Sequence, residues 1–281
     1  MKYTEEFCER EYNIRARVPQ YPAIFSRWAA QGAAARQLHA CLLDLAYGDE
    51  PAERLDIFPA RDEPAPLLVF FHGGYWRSLD KSDFSWIAPG LVERGVTVAL
   101  VNYGLAPQTP MEDMVRQALA AIAWLYRKAG RYGIDRDRIS LCGHSAGAHL
   151  AALSMAALWN VYAYDLPDDL VKGVLALSGV YDLEPLLYAP FLNVDLKLDS
   201  EQAWRLSPLT YPARAGVRLI TAVGGAETTE FARQTALIGQ RWHSNLVREV
   251  PLPGCNHYEV VDALADPASP LFEAALELVR R

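Results

Sequence analysis

Gly143-His144-Ser145-Ala146-Gly147 is the stretch on which the reading of this chain turns. It has the form Gly-x-Ser-x-Gly, which alone is weak because small residues recur by chance. Its flanks make it specific. The apolar run Ile139-Ser140-Leu141-Cys142 precedes it, and a stretch rich in Ala and Leu opens at Ala146. Strand, tight turn and helix in that order form a nucleophile elbow, with a serine at its apex. So sharp a turn needs small neighbours. Gly143 and Gly147 supply them and leave Ser145 standing at the carboxyl end of the strand. The plainer alternative is a glycine-rich turn with a capping serine.

Outward from the elbow, short apolar runs alternate with helical patterns. Strands are expected at residues 55–58, 67–71, 96–101, 138–142, 173–177, 217–223 and 246–250. The run Leu67-Leu68-Val69-Phe70-Phe71 is apolar throughout, as suits a strand covered on both faces. Helices are expected at 111–131, 146–158 and 230–243; the first sets Met114, Val115, Leu119, Ile122 and Leu125 near one face. This alternation predicts a mostly parallel, doubly wound sheet with helices on both faces. Residues 1–40 read as a helical arm broken by Pro19 and Pro22, and residues 185–209 as a small cap. No composition shift divides the chain, so residues 1–281 are expected to form one domain.

The order of the remaining chemistry follows from the elbow. His72-Gly73-Gly74-Tyr75-Trp76 follows the strand at 67–71, and its adjacent glycines let backbone N–H groups face a ligand. In the α/β-hydrolase fold this loop and the residue after the nucleophile form the oxyanion hole, which makes Gly73, Gly74 and Ala146 the candidate donors. The base lies after the last strand, and of the six histidines His257 occupies that place. His243 falls on a helix, His149 reads as a packed helix residue, and His72 and His144 read as orienting groups within the two motifs. The acid lies after the strand at 217–223, where Glu227 sits in the loop; Glu230 opens the next helix, and Asp182 follows the strand at 173–177. Glu227 is preferred, with Glu230 and Asp182 kept as alternatives. Tyr75 and Trp76, next to the oxyanion glycines, are expected to crowd the acyl side of Ser145.

Composition excludes other classes. The chain has 281 residues, 51% hydrophobic and 22% charged, with a net charge of −7. That balance suits a globular protein with a large core. It does not suit a nucleic-acid partner, which asks for clustered Lys and Arg. Arg10, Arg15, Arg17 and Arg27 are interspersed with Glu5, Glu6, Glu9 and Glu11, and read as a solvated mixed-charge face. No stretch reads as a membrane span or secretory signal. Cys8, Cys41, Cys142 and Cys255 are scattered without a Cys-x-x-Cys pair, so reduced thiols in the cytoplasm are expected. No metal-ligand or dinucleotide spacing appears, and no cofactor is expected.

The pentapeptide His72-Gly73-Gly74-Tyr75-Trp76 resembles the HGGYW motif of arylformamidases, the α/β-hydrolase type of kynurenine formamidase. Asn102-Tyr103-Gly104-Leu105-Ala106-Pro107, Leu177-Ser178-Gly179-Val180-Tyr181-Asp182-Leu183 and Ser207-Pro208-Leu209 agree with it. The loop at 224–231 is similar to that family's acid loop, with Glu227 where many members carry Asp. The resemblance runs from about residue 12 to 261. It implies hydrolysis of an N-formyl arylamine such as N-formylkynurenine, with a short-chain carboxylesterase as the alternative. A catalytically silent binding protein is a third reading, which the intact serine, acid and histidine oppose. The implied partner is a small-molecule substrate, with a homodimer left open.

Overall fold

The computed structural model describes residues 3–280. Its strands form one sheet: β1 (Leu42–Ala46), β2 (Arg54–Phe58), β3 (Ala65–Phe71), β4 (Thr97–Val101), β5 (Ile134–His144), β6 (Val171–Leu177), β7 (Arg218–Gly224) and β8 (Leu246–Leu252). Across the sheet they run β1-β2-β4-β3-β5-β6-β7-β8. β2 is antiparallel to β1 and β4, and every pairing from β4 to β8 is parallel. This is the α/β-hydrolase arrangement, and it carries the carboxyl ends of β3, β5, β6, β7 and β8 to one side.

Every residue of β3 and β4 is buried, which is why these strands read as unbroken apolar runs. β1 was not expected. It is an edge strand with mostly exposed residues, so burial imposes no alternation on Leu42-Leu43-Asp44-Leu45-Ala46. Polar contacts tie it down instead: Asp44 N–H donates to Asp56 Oδ1 at 2.8 Å, and Lys81 Nζ reaches Asp44 at 2.7 Å and Asp56 at 2.8 Å.

The expected helices appear as Met111–Lys128, Ala146–Ala156 and Thr229–Arg241. Ala146–Ala156 is buried on every face because it is enclosed between β3, β5 and β6 on one side and Met111–Lys128 on the other. A further helix, Pro270–Arg280, lies across β3, β5, β6, β7 and β8. Gly173 admits it closely: a Cβ there would fall 2.4 Å from Leu278 Cδ1.

The arm consists of helices Glu5–Tyr12, Ile14–Arg17 and Tyr21–Leu38. Pro19 falls in the break, whereas Pro22 starts the last helix, in the first turn where a missing N–H costs nothing. The arm is bolted to the body by buried polar groups. Tyr12 OH donates to Glu230 Oε1 at 2.7 Å and accepts from Gln234 Nε2 at 2.9 Å. Trp28, fully buried, donates through Nε1 to Asp262 Oδ1 at 2.7 Å. Residues 185–209 form short helical turns, including Pro190–Leu196 and Ser200–Arg205, that bury Leu192, Leu196 and Ala203. Among the described residues no helix is long and apolar enough to cross a membrane.

Tyr12→Phe removes the hydroxyl that joins Glu230 to Gln234 inside the protein. The expected loss is about 1–3 kcal/mol of unfolding free energy, read from urea denaturation. An unchanged urea midpoint would show that the arm does not depend on this bond.

Candidate active site

At the elbow, Ser145 has φ 55° and ψ −117°. No room exists for larger neighbours. A Cβ on Gly147 would lie 1.9 Å from the Phe71 carbonyl oxygen, and one on Gly143 would lie 2.2 Å from that of Gly147. Ser145 N–H donates to Leu177 O of β6 at 2.8 Å, which pins the turn to the sheet.

Ser145 Oγ lies 3.0 Å from His257 Nε2, and His257 Nδ1 lies 2.6 Å from Glu227 Oε2. All three side chains are buried. The second oxygen of Glu227 accepts from Gly224 N–H at 2.7 Å and from Ser178 Oγ. The carboxylate is thus fixed from both sides and aimed at the imidazole. The alternative acids are engaged elsewhere. Glu230 faces Arg233 and Tyr12, and Asp182 lies 3.2 Å from Arg233 Nη2. Such a chain can deprotonate a serine and stabilise the imidazolium that results.

Gly73 and Gly74 lie against the elbow. A Cβ on Gly73 would come within 3.2 Å of Ser145 Cβ, so only a glycine lets this loop approach so closely. Gly74 has φ 110°, and a Cβ there would meet Ser78 O at 2.1 Å. Ala146 opens its helix, so its N–H has no acceptor within that helix. Of these, Gly74 lines the space beside Ser145.

That space is a narrow cleft with a cavity volume of about 40 Å³. Ser145 and His257 form its floor, and Tyr75, Phe25, Tyr258 and Phe191 stand among its walls. Much of the wall comes from the arm, through Tyr12, Asn13, Ile14, Arg15 and Phe25. Phe25 meets Tyr258 edge-on at 5.1 Å, beside His257. Tyr75 OH donates to the carbonyl of Tyr12 at 2.6 Å.

The structure separates the two rings expected on the acyl side. Tyr75 lines the cleft, but Trp76 does not. Trp76 is fully buried, with Nε1 donating to His149 Nδ1 at 3.3 Å and its ring edge-on to His149 at 5.0 Å. Consecutive positive φ angles, 52° at Tyr75 and 56° at Trp76, send the two side chains different ways. Arg15, read as part of a solvated face, is exposed and also lines the cleft wall.

Three of the other histidines hold structure. His144 Nε2 meets the His257 carbonyl at 2.8 Å; burial, and then the neighbouring His257, keep its pKa well below the ordinary value. His149 Nε2 meets Leu206 O at 2.7 Å, and burial brings its pKa down to about 4. His72 meets its neighbour's carbonyl, Gly73 O, at 2.8 Å, and burial lowers its pKa as well. His243 is exposed on the helix-end turn.

Residues 55–204 match the family model BD-FAE. The kynurenine formamidase of Danio rerio is 31% identical over 254 residues, covering 87% of this chain and 84% of that protein. The chain belongs to the BD-FAE family, alongside the kynurenine formamidases. A crystal structure from Silicibacter sp. TM1040, described as a candidate thioesterase, superposes with a TM-score of 0.82 at 30% identity and covers 96% of this chain and 97% of that one. Esterase B of Lactobacillus rhamnosis shares the fold at a TM-score of 0.70 and 18% identity, covering 94% and 93% of the two chains.

Within this BD-FAE member, two contributors to the site escape a reading of the sequence. Ser178 holds the acid; its place in Leu177-Ser178-Gly179, at the carboxyl end of β6, is the signal that could have found it. The arm residues carry no such signal, because only tertiary packing brings them over the sheet.

Two outcomes follow. Glu227→Gln is expected to lower kcat by roughly a thousandfold or more, because the amide disturbs the imidazole tautomer and supplies no charge. Glu230→Gln is expected to act on stability, through Tyr12 and Arg233, and to leave kcat within about tenfold. Steady-state rates and urea midpoints on both variants separate these effects; equal losses of rate would remove Glu227 from the site.

The second concerns acid stability. Unfolded, His149 binds a proton near its ordinary pKa of 6.5; folded, it does so only near 4. Stability from this group is therefore complete above pH 6.5 and lost as pH falls toward 4, by about 3 kcal/mol in all. His72 and His144 act in the same direction. His149→Gln keeps a donor for Leu206 O but cannot titrate, so its urea midpoints between pH 6.5 and 4.5 are expected to fall less steeply than those of the parent protein.

Proposed function

We propose that this protein is a serine hydrolase that removes a small acyl group from an aryl amide or ester, with N-formylkynurenine-type aryl formamides as substrates and formate and the free amine as products. The observation that carries this reading is the continuous hydrogen-bonded line Ser145–His257–Glu227 opening onto an aromatic-walled cleft. The 31% identity with a kynurenine formamidase over most of both chains supports the substrate.

In this mechanism His257 Nε2 takes the Ser145 proton as Oγ attacks the formyl carbon. Glu227 balances the imidazolium through Nδ1–H. The N–H groups of Ala146 and Gly74, with Gly73, face the developing oxyanion. His257 then protonates the departing arylamine and the C–N bond breaks. Water, deprotonated by His257, attacks the formyl ester on Ser145 and releases formate. The chemistry is complete with side chains and water, and needs one chain and one small molecule.

The arm at 1–40 and the segment at 185–209 belong to one catalytic domain in this reading. A cytoplasmic setting is part of it, supported by four unpaired cysteines. The ester alternative draws support from the Silicibacter relative described as a candidate thioesterase.

The test is kcat/KM for 4-nitrophenyl esters of increasing acyl length beside N-formylkynurenine. Tyr75 in the cleft wall leaves little room next to Ser145. A steep fall after acetyl with efficient deformylation is expected. A rise toward butyryl or hexanoyl with negligible deformylation would overturn the formamidase reading in favour of a general esterase. Ser145→Ala is expected to abolish both activities and labelling by a fluorophosphonate while the fold persists; retained turnover would refute the mechanism.

A further inference from the structure

The charge around the cleft runs against the charge of the chain. The protein carries a net −7. Yet among the described residues the cleft wall contains two guanidinium groups, Arg15 and Arg77, and no carboxylate. Arg77 is already matched, by Asp195 at 2.7 Å and by the Phe191 carbonyl at 2.6 Å. Arg10 and Arg27, elsewhere on the arm, pair with Glu11 and Asp262.

Arg15 is different. Among the described residues it pairs with no carboxylate. Its Nη2 donates to Ser78 Oγ at 3.2 Å, and its guanidinium lies 5.4 Å from the centre of the Tyr21 ring. Ser78 in turn donates to the carbonyl of Gly74, in the proposed oxyanion loop, at 3.0 Å. The cation is therefore held by a ring face and a neutral hydroxyl, with donors left to offer. A planar guanidinium so placed suits a carboxylate.

We infer that Arg15 is a specificity residue that binds a carboxylate on the leaving-group side of the substrate, so that substrates whose aryl portion carries a carboxylate are preferred over those without one. This rests on the serine-hydrolase reading above. A formyl group has no side chain to carry charge, so the carboxylate belongs to the aryl portion. That ring would lie among Phe25, Tyr75 and Tyr258, and its substituent would reach the arm. The site is exposed on one side, so the interaction is modest and sensitive to salt.

The experiment compares N-formylkynurenine with its carboxamide, which matches it in shape but lacks the negative charge. The full-length protein is assayed beside Arg15→Gln and Arg15→Lys. A parallel pair of esters, phenyl acetate and 3-acetoxybenzoate, poses the same question without a formamide. The expected result is a lower KM for the carboxylate-bearing member of each pair, by about three- to tenfold at low salt. In Arg15→Gln this advantage collapses toward unity with kcat nearly unchanged, and in Arg15→Lys part of it survives. Raising ionic strength shrinks it in the parent protein. If neither formamide is hydrolysed but the esters show the Arg15-dependent preference, the formamidase reading fails and this inference stands. If the parent protein shows no preference for the anion in the pairs it hydrolyses, or Arg15→Gln weakens both members equally, the inference is overturned.

Discussion

The elbow touches strand β3 more closely than any side chain allows, and the rest of the site is arranged around that contact. With no Cβ, Gly147 brings the first turn of its helix against the carbonyl of Phe71. The chain can make that approach only by reversing sharply at Ser145, whose positive φ costs about 1–3 kcal/mol. The surrounding hydrogen bonds hold it there: Ser145 N–H on Leu177 O, and the N–H groups of Ala148 and His149 on Ser145 O. The same proximity places the end of β3, and so Gly73, beside the serine. One packing constraint thus sets the position both of the proposed nucleophile and of the loop proposed to face the developing charge.

Around this fixed centre the arm supplies the variable part. It touches each of the loops that carry the other groups. Tyr12 O receives Tyr75 from the oxyanion loop. Glu11 accepts from Glu230 N–H and Thr229 Oγ1 where the acid loop enters its helix. Phe25 and Trp28 pack on Tyr258, next to His257. The sheet therefore determines where the chemistry happens, and the arm determines what can reach it. Cleft shape and cleft charge both follow from residues outside the sheet.

This division explains which features were legible in the sequence. Buried parallel strands must be apolar, so β3 and β4 announce themselves; β1, exposed at an edge and fastened by Asp44, Asp56 and Lys81, does not. Ser145, Glu227 and His257 were legible because their order along the chain follows the order of strands, and the structure brings Ser145 and Glu227 each within hydrogen-bonding distance of His257. Side-chain direction was not. Tyr75 and Trp76 are adjacent, yet one turns to the cleft and the other to His149, and nothing in residue type distinguishes those outcomes. Arg15 sits in a mixed-charge stretch, and its exit from that stretch into the cleft wall depends on where the whole arm docks.

The buried histidines close the argument about charge. His144 lies 4.8 Å from His257, ring centre to ring centre, and donates to its backbone carbonyl. Were His144 protonated, it would repel the imidazolium that His257 must become in the proposed reaction. Burial prevents this by holding His144 neutral far below neutral pH, and His257 itself adds to the effect. His149 and His72 are kept neutral by the same cause. Among the described residues, the imidazole facing Ser145 is thus the one whose positive charge has a carboxylate waiting for it. A cluster of histidines that looks redundant in sequence divides into one group hydrogen-bonded between Ser145 and Glu227 and three held as neutral donors and acceptors. Their neutrality lets the loop that carries His257 be tied down at close range without opposing the charge that the proposed reaction creates.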